Sequence, residues 1–177
     1  MSRMDDQLVV AAQLGRPLRA AIEVVAQCPL GLPVAVAVPP LLDDGTPFPT
    51  HYWLTCPLAR IRVGRLESVG GVRAMQRWVE SNPVVEARFQ AAGARYAVER
   101  DLLVPEDARL RPSGGVAGSE RGVKCLHAHY ADHWAGRDNP VGETVAPWVE
   151  PLDCTVGCVA EDNSGGVMRN GAWREPK

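Results

Sequence analysis

Residues 121–142 read RGVKCLHAHYADHWAGRDNPVG. They hold a cysteine, a lysine, three of the four histidines and an Asn-Pro-x-Gly end signal. Ser119, followed by Glu120, can cap a helix here that Gly136 ends. At 3.6 residues per turn, Val123, Leu126, His127, Tyr130, Ala131 and Trp134 form one stripe. Cys125, His129, Asp132 and His133 fall broadly on the opposite side. Cys125 and His129 are then one turn apart and able to share a metal, with His133 or Asp132 extending the site. On this helix alone the simpler reading is a small buried thiol beside histidines on a solvated face. His127, inside the apolar stripe, is either a hydrogen-bonded core histidine or an interior ligand. It cannot share a mid-helix site with Cys125 unless Cys125 belongs to an irregular first turn.

Upstream, residues 105–119 (PEDARLRPSGGVAGS) are a glycine-rich loop. Gly114 and Gly115, with Arg121 and Lys124 at the helix start, could hold a phosphate or another anion on backbone N–H groups. No Gly-Lys-Ser/Thr follows, so this is not a Walker A loop, and a plain flexible linker accounts for the same residues. Before the loop, residues 58–69 and 72–80 are helices parted by Gly70-Gly71. Ser81 or Asn82 caps a third from Pro83 to about Val104. Its aromatic residues are core packing.

Three segments are read as strands: 20–27 (AAIEVVAQ), which is also helical by periodicity but is followed at once by the turn residues 28–33, then 34–38 and 51–55 (HYWLT). As an antiparallel meander they bring Cys28 and Cys56, each followed by proline, to the same edge of the sheet. Asp5 or Asp6 caps a short helix over 7–14 that Gly15 and Pro17 stop. The expected fold is α+β, a small antiparallel sheet of about three strands packed with four to five helices. Residues 1–142 make the domain, and 143–177 are expected to be an irregular, partly disordered extension.

The composition, 46% apolar and 23% charged, is that of a globular protein. A net charge of −2 and a pI near 6.1 leave no footprint for nucleic acid or an acidic membrane. The opening MSRMDDQLVV lacks the basic start and apolar core of a secretory signal, and no apolar run reaches the roughly 18 residues of a membrane span. A cytoplasmic location is expected, where five cysteines serve as free thiols or metal ligands. Arginine supplies seventeen of the nineteen basic residues, a codon bias of GC-rich, bacterial genomes with no mechanistic weight.

Zinc ligation takes four groups, so Cys28 and Cys56 would have to complete a site begun by Cys125 and a histidine. Alternatively Cys125, beside Lys124 near a helix start, has a lowered pKa and acts as a nucleophile, with His127 or His129 as base. Cys154-x-x-x-Cys158 does not fit the redox spacing and reads as incidental. His51 reads as a strand-edge residue.

Cys28-Pro-x-Gly-x-Pro, Asp44-Gly-Thr-Pro-Phe-Pro-Thr, Leu54-Thr-Cys-Pro, Val123-Lys-Cys-Leu-His-Ala-His and Asn139-Pro-Val-Gly resemble the bacterial family known as domain of unknown function 501. The resemblance spans roughly residues 14–142. Carried over, it marks Cys28, Cys56, Cys125 and His127, with His129 a looser match. It implies a Cys₃His zinc site; an iron–sulfur cluster fits less well, for want of close cysteine spacing. Asp132-His133 stands where the family more often has Ala-His. Family genes tend to lie near those for a division-site initiator and an exopolyphosphatase, which implies cell-division proteins as partners.

Three functions follow as expectations. The first is a zinc-binding module of binding or regulatory role. The second is a metal- or cysteine-dependent hydrolase acting on a phosphate-bearing substrate held by Arg121 and Lys124. The third is a cell-division scaffold with inert thiols.

Overall fold

The computed structural model describes residues 4–176. Residues 1–3 of the stretch read for a signal, and Lys177, lie outside them. Strands β1 (Glu23–Gln27), β2 (Pro33–Ala37) and β3 (Tyr52–Leu54) form an antiparallel sheet in the order β1-β2-β3. This is the meander that strand-forming segments between proline-bearing turns predict. In the β1–β2 turn the Gly31 N–H donates to the Cys28 carbonyl at 2.8 Å, and the Cys28 N–H to the Leu32 carbonyl at 2.9 Å. Gly31 lies at φ +73, a left-handed conformation that residues with a Cβ avoid. Central β2 is buried along Val34, Ala35 and Val36. Because β1 and β3 run the same way, Cys28 and Cys56 leave the sheet at the same end.

Helices α1 (Asp6–Leu14) and α4 (Pro83–Asp101) begin where their caps predict, and α2 (Pro57–Ser68) and α3 (Gly71–Ser81) each begin one residue before the expected start. The Asp5 carboxylate accepts the Gln7 and Leu8 N–H groups, and the Asn82 side-chain oxygen those of Val84 and Val85. Gly70, at φ +92, divides α2 from α3. Helix α4 ends at Asp101, short of the expected Val104. Its Arg100 is buried and donates to the carbonyls of Pro49, Ser113 and Gly114, which fastens the 105–119 loop to the core.

The key helix, α5 (Leu126–Trp134), starts later than a Ser119 cap predicts. The Ser119 hydroxyl instead donates to the carbonyls of Arg121 and Gly122, and Gly122 at φ +76 breaks helical geometry. The start of α5 is capped from a distance. Gln76 of α3 accepts the Val123 N–H at 2.6 Å, and Glu67 of α2 accepts the Leu126 N–H at 2.7 Å.

Asn-Pro-x-Gly begins a helix where an end was expected. The Asn139 side-chain oxygen accepts the Gly142 N–H at 3.0 Å, and Pro140 occupies the first turn of α6 (Pro140–Val149). Helix α6 lies close on α5 because Gly142 has no side chain; a Cβ there would overlap the His129 carbonyl oxygen. This cover buries part of the face of α5 expected to be solvated, while Leu126, Tyr130 and Ala131 of the apolar stripe are buried as expected. His129 and Asp132 are buried, while His127 and His133 are partly exposed.

Beyond α6 the chain forms a hairpin of β4 (Val159–Glu161) and β5 (Val167–Arg169), packed on α1 through Val9, Leu32, Cys158 and Val159. The stretch after Gly142 thus carries a helix and a hairpin where irregular chain was expected. The described residues hold six α-helices, one more than the expected range, and the architecture is α+β. No helix among them is long and apolar enough to cross a membrane.

Candidate functional site

The residues expected to share one ion fall into three places. Cys125 and His127 stand with Glu67 of α2. One donor atom of each lies within 4.8 Å of the other two, the one such cluster among the described residues. Cys125 and His127 can meet because Cys125 keeps an extended backbone, at φ −151 and ψ 119, just before α5 begins. That is the irregular first turn the two-residue spacing required.

Glu67 Oε2 lies 3.2 Å from His127 Nδ1, and His127 Nε2 lies 3.2 Å from the Arg60 carbonyl oxygen. Both neighbours are acceptors, and a neutral ring donates to one of them, from Nδ1 or from Nε2 according to its tautomer. A metal ion between Nδ1 and the carboxylate, with the Nε2–H on the carbonyl, would answer both acceptors. The other Glu67 oxygen is held by the Leu126 N–H. Burial pushes the Cys125 thiol pKa up and Glu67 adds to this, against the backbone N–H groups of Ala128 and His127. Lys124 is exposed and takes no part in that balance, so the lowered pKa expected of a nucleophile is not what these surroundings give. Glu67 was not foreseen. It is one acid among many on an ordinary helical face, and only tertiary packing sets it against residues 59 positions on.

Cys28 and Cys56 do not join this cluster. With Cys154 and Cys158 they line a cavity of about 10 Å³ that Gln13 and Trp173 also wall. The Trp173 indole N–H donates to Cys154 Sγ at 3.4 Å, and the Gln13 amide N–H to Cys158 Sγ at 3.5 Å. Burial pushes the Cys56 thiol up to about 12 and raises Cys158 as well, with Cys28 adding to both. All five cysteines are free thiols. Cys154-x-x-x-Cys158, read as incidental, therefore sits beside two cysteines from distant segments.

His129 joins neither group. Asp132 Oδ2 accepts from Arg95 at 2.6 Å and from the Asn139 amide N–H at 2.8 Å. The Asn139 oxygen therefore faces the other way, where it accepts the Gly142 N–H and, at 3.1 Å, the His129 Nδ1–H. His129 is left with a lone pair on Nε2 that has no partner among the described residues. Burial lowers its pKa to about 4, so the ring is neutral near pH 7.

His129 lines a cavity of about 720 Å³ bounded by α3, α4 and the 114–122 loop, a volume suited to a small molecule. Gly114, Gly115 and Arg121 of the expected anion cradle lie on its wall, and Lys124 does not. Glu80, Glu86 and Glu120 on the same wall repel an anion.

A family model described as Protein of unknown function (DUF501) matches residues 24–147. The matched stretch contains Cys28, Cys56, Glu67, Cys125, His127 and His129, and ends before Cys154 and Cys158. No curated protein and no solved structure matches the chain. With well over half of its length matched, the chain belongs to the DUF501 family of proteins of unknown function.

Proposed function

We propose that the protein is a cytoplasmic metal-binding module of binding or regulatory role, in which Glu67, Cys125 and His127 hold a zinc ion. The observation that carries this reading is the gathering of one donor atom each from Glu67, Cys125 and His127 within 4.8 Å of one another, with His127 Nδ1 3.2 Å from Glu67 Oε2. Sulfur, imidazole nitrogen and carboxylate oxygen are the three donor types zinc takes, and three protein ligands leave a fourth position for water or a partner's group. The Arg60 carbonyl on His127 and the Leu126 N–H on Glu67 would orient the ligands.

The test is elemental analysis of full chain purified without a metal-affinity tag, repeated for Glu67→Gln and His127→Gln. Each substitution is expected to weaken zinc binding by about 10-fold or more. If both variants hold zinc as the wild type does, the assignment fails.

A second reading, a hydrolase, is favoured by the partnerless His129 Nε2 at the wall of the 720 Å³ cavity. Here His129, held by Asn139, would be the base. Turnover of p-nitrophenyl acetate, an uncharged ester, that His129→Gln abolishes supports it; no turnover, or turnover the variant retains, removes it.

A further inference from the structure

We infer that Cys28, Cys56, Cys154 and Cys158 form a second metal site, a four-thiolate zinc centre that fastens the C-terminal segment to the end of the sheet. This goes beyond the Glu67–Cys125–His127 reading and stands or falls separately. Four of the chain's five cysteines come from three distant segments to one cavity. Its volume of about 10 Å³ is that of one small guest.

The surroundings offer hydrogen-bond donors to the sulfurs, though burial without a cation keeps the thiols neutral. Neutral thiols need no strong donors, yet Trp173 and Gln13 each direct an N–H at one of the sulfurs. Cys56 sits at the N-cap of the twelve-residue α2, and the backbone N–H groups of Ala59 and Leu58 favour its thiolate. The Cys28 turn has Gly31 at φ +73, which bends the chain back towards its own start. An independent observation comes from Gln13. It is 1% exposed, it lines the cavity, and its Oε1 has no partner among the described residues. A buried acceptor left open at a cavity wall is costly unless something in the cavity, an ion or its water, answers it.

No three of the four sulfurs lie within 4.8 Å of one another, whereas a tetrahedral zinc with bonds of about 2.3 Å holds them about 3.8 Å apart. Closing on an ion therefore takes rotation about the Cα–Cβ bonds. As Zn²⁺ binds, each thiol gives its proton to solvent and a Zn–S bond replaces the S–H bond; no electron changes hands. Four sulfur ligands close the coordination shell, so the ion's role is structural. What it secures is the chain from residue 150 onward, including the hairpin and Trp173.

The experiment uses full-length protein purified under reducing conditions without a metal-affinity tag, with zinc counted per chain. The Cys154→Ser/Cys158→Ser variant is expected to lose one equivalent of zinc, and His127→Gln to leave that equivalent in place. Replacement of zinc by Co²⁺ in the wild type gives a readout that needs no variant to fold. Strong sulfur-to-cobalt charge-transfer bands and intense visible bands, unchanged by His127→Gln, are expected of a four-sulfur tetrahedral site. The proposal is overturned if Cys154→Ser/Cys158→Ser keeps every zinc of the wild type, or if Co²⁺ shows no such bands. It is equally overturned if these cysteines are recovered as disulfides, or with iron and inorganic sulfide.

Discussion

The Tyr96 hydroxyl of α4 stands 2.6 Å from the backbone nitrogen of His51 and accepts its hydrogen. The same oxygen takes the Tyr52 N–H at 3.1 Å. One side chain thereby satisfies two buried donors at the start of β3. Tyr96→Phe leaves both without an acceptor, at about 1–3 kcal/mol each. We expect a loss of about 2–4 kcal/mol in urea unfolding with native secondary structure retained. A change below about 0.5 kcal/mol would mean that the two N–H groups find other partners.

Gly142 is where α6 touches α5. Gly142→Ala places a methyl group against the His129 carbonyl oxygen and the His133 Cβ, both backbone-proximal atoms that cannot swing aside. The helices must separate, and overpacking of this kind costs about 1–3 kcal/mol. Gly136→Ala serves as the comparison. It lies at φ +79 with nothing near its Cβ position, so any loss there reflects backbone conformation alone. Thermal unfolding of the two variants separates collision from conformational strain. Equal losses would show that the α5–α6 approach is soft.

Asp132 is fully buried and paired with Arg95 at 2.6 Å. Arg95→Leu strands the carboxylate with only the Asn139 amide, and breaking a buried pair from one side costs about 3–5 kcal/mol. The double variant Arg95→Leu/Asp132→Asn is expected to lose clearly less than the sum of the single changes. A double-mutant cycle in urea measures the difference. Simple additivity would remove the coupling.

Asp44 tests the acid side. The Thr46 side chain and backbone N–H, with Arg19 at 2.6 Å, hold its carboxyl down at about 2. A folded-state pKa below the unfolded one of roughly 4 adds stability that is fully present above pH 4 and is lost as pH falls through about 2. The advantage of the wild type over Asp44→Asn should therefore shrink across that window. Urea midpoints at pH 6 and pH 2.5 check it. An advantage equal at both pH values would show that ionisation plays no part.

The sheet was legible because its signals are local: β-branched residues and proline punctuation point to 20–27, 34–38 and 51–55, and strands form within or one residue off those stretches, at 23–27, 33–37 and 52–54. The start of α5 was not, since Gln76 and Glu67 cap it from 47 and 59 residues away. The burial of His129 depends on α6, and α6 was hidden because Asn139-Pro140 serves as well to close one helix as to open the next. Cys125 and His127 do come together, but their third neighbour is Glu67 and not Cys28 or Cys56. Which cysteines stand together is decided by where the C-terminal segment folds back. Spacing within Cys154-x-x-x-Cys158 carries no information about that.

Packing α1 against the β4–β5 hairpin sets an order of events during synthesis. The helix at residues 6–14 leaves the ribosome well before its covering strands at 159–169. Val9 stays uncovered until those strands have been made, so this layer tightens after the sheet and helices α2–α6 have emerged. Contacts that span almost the whole chain are also slow to find.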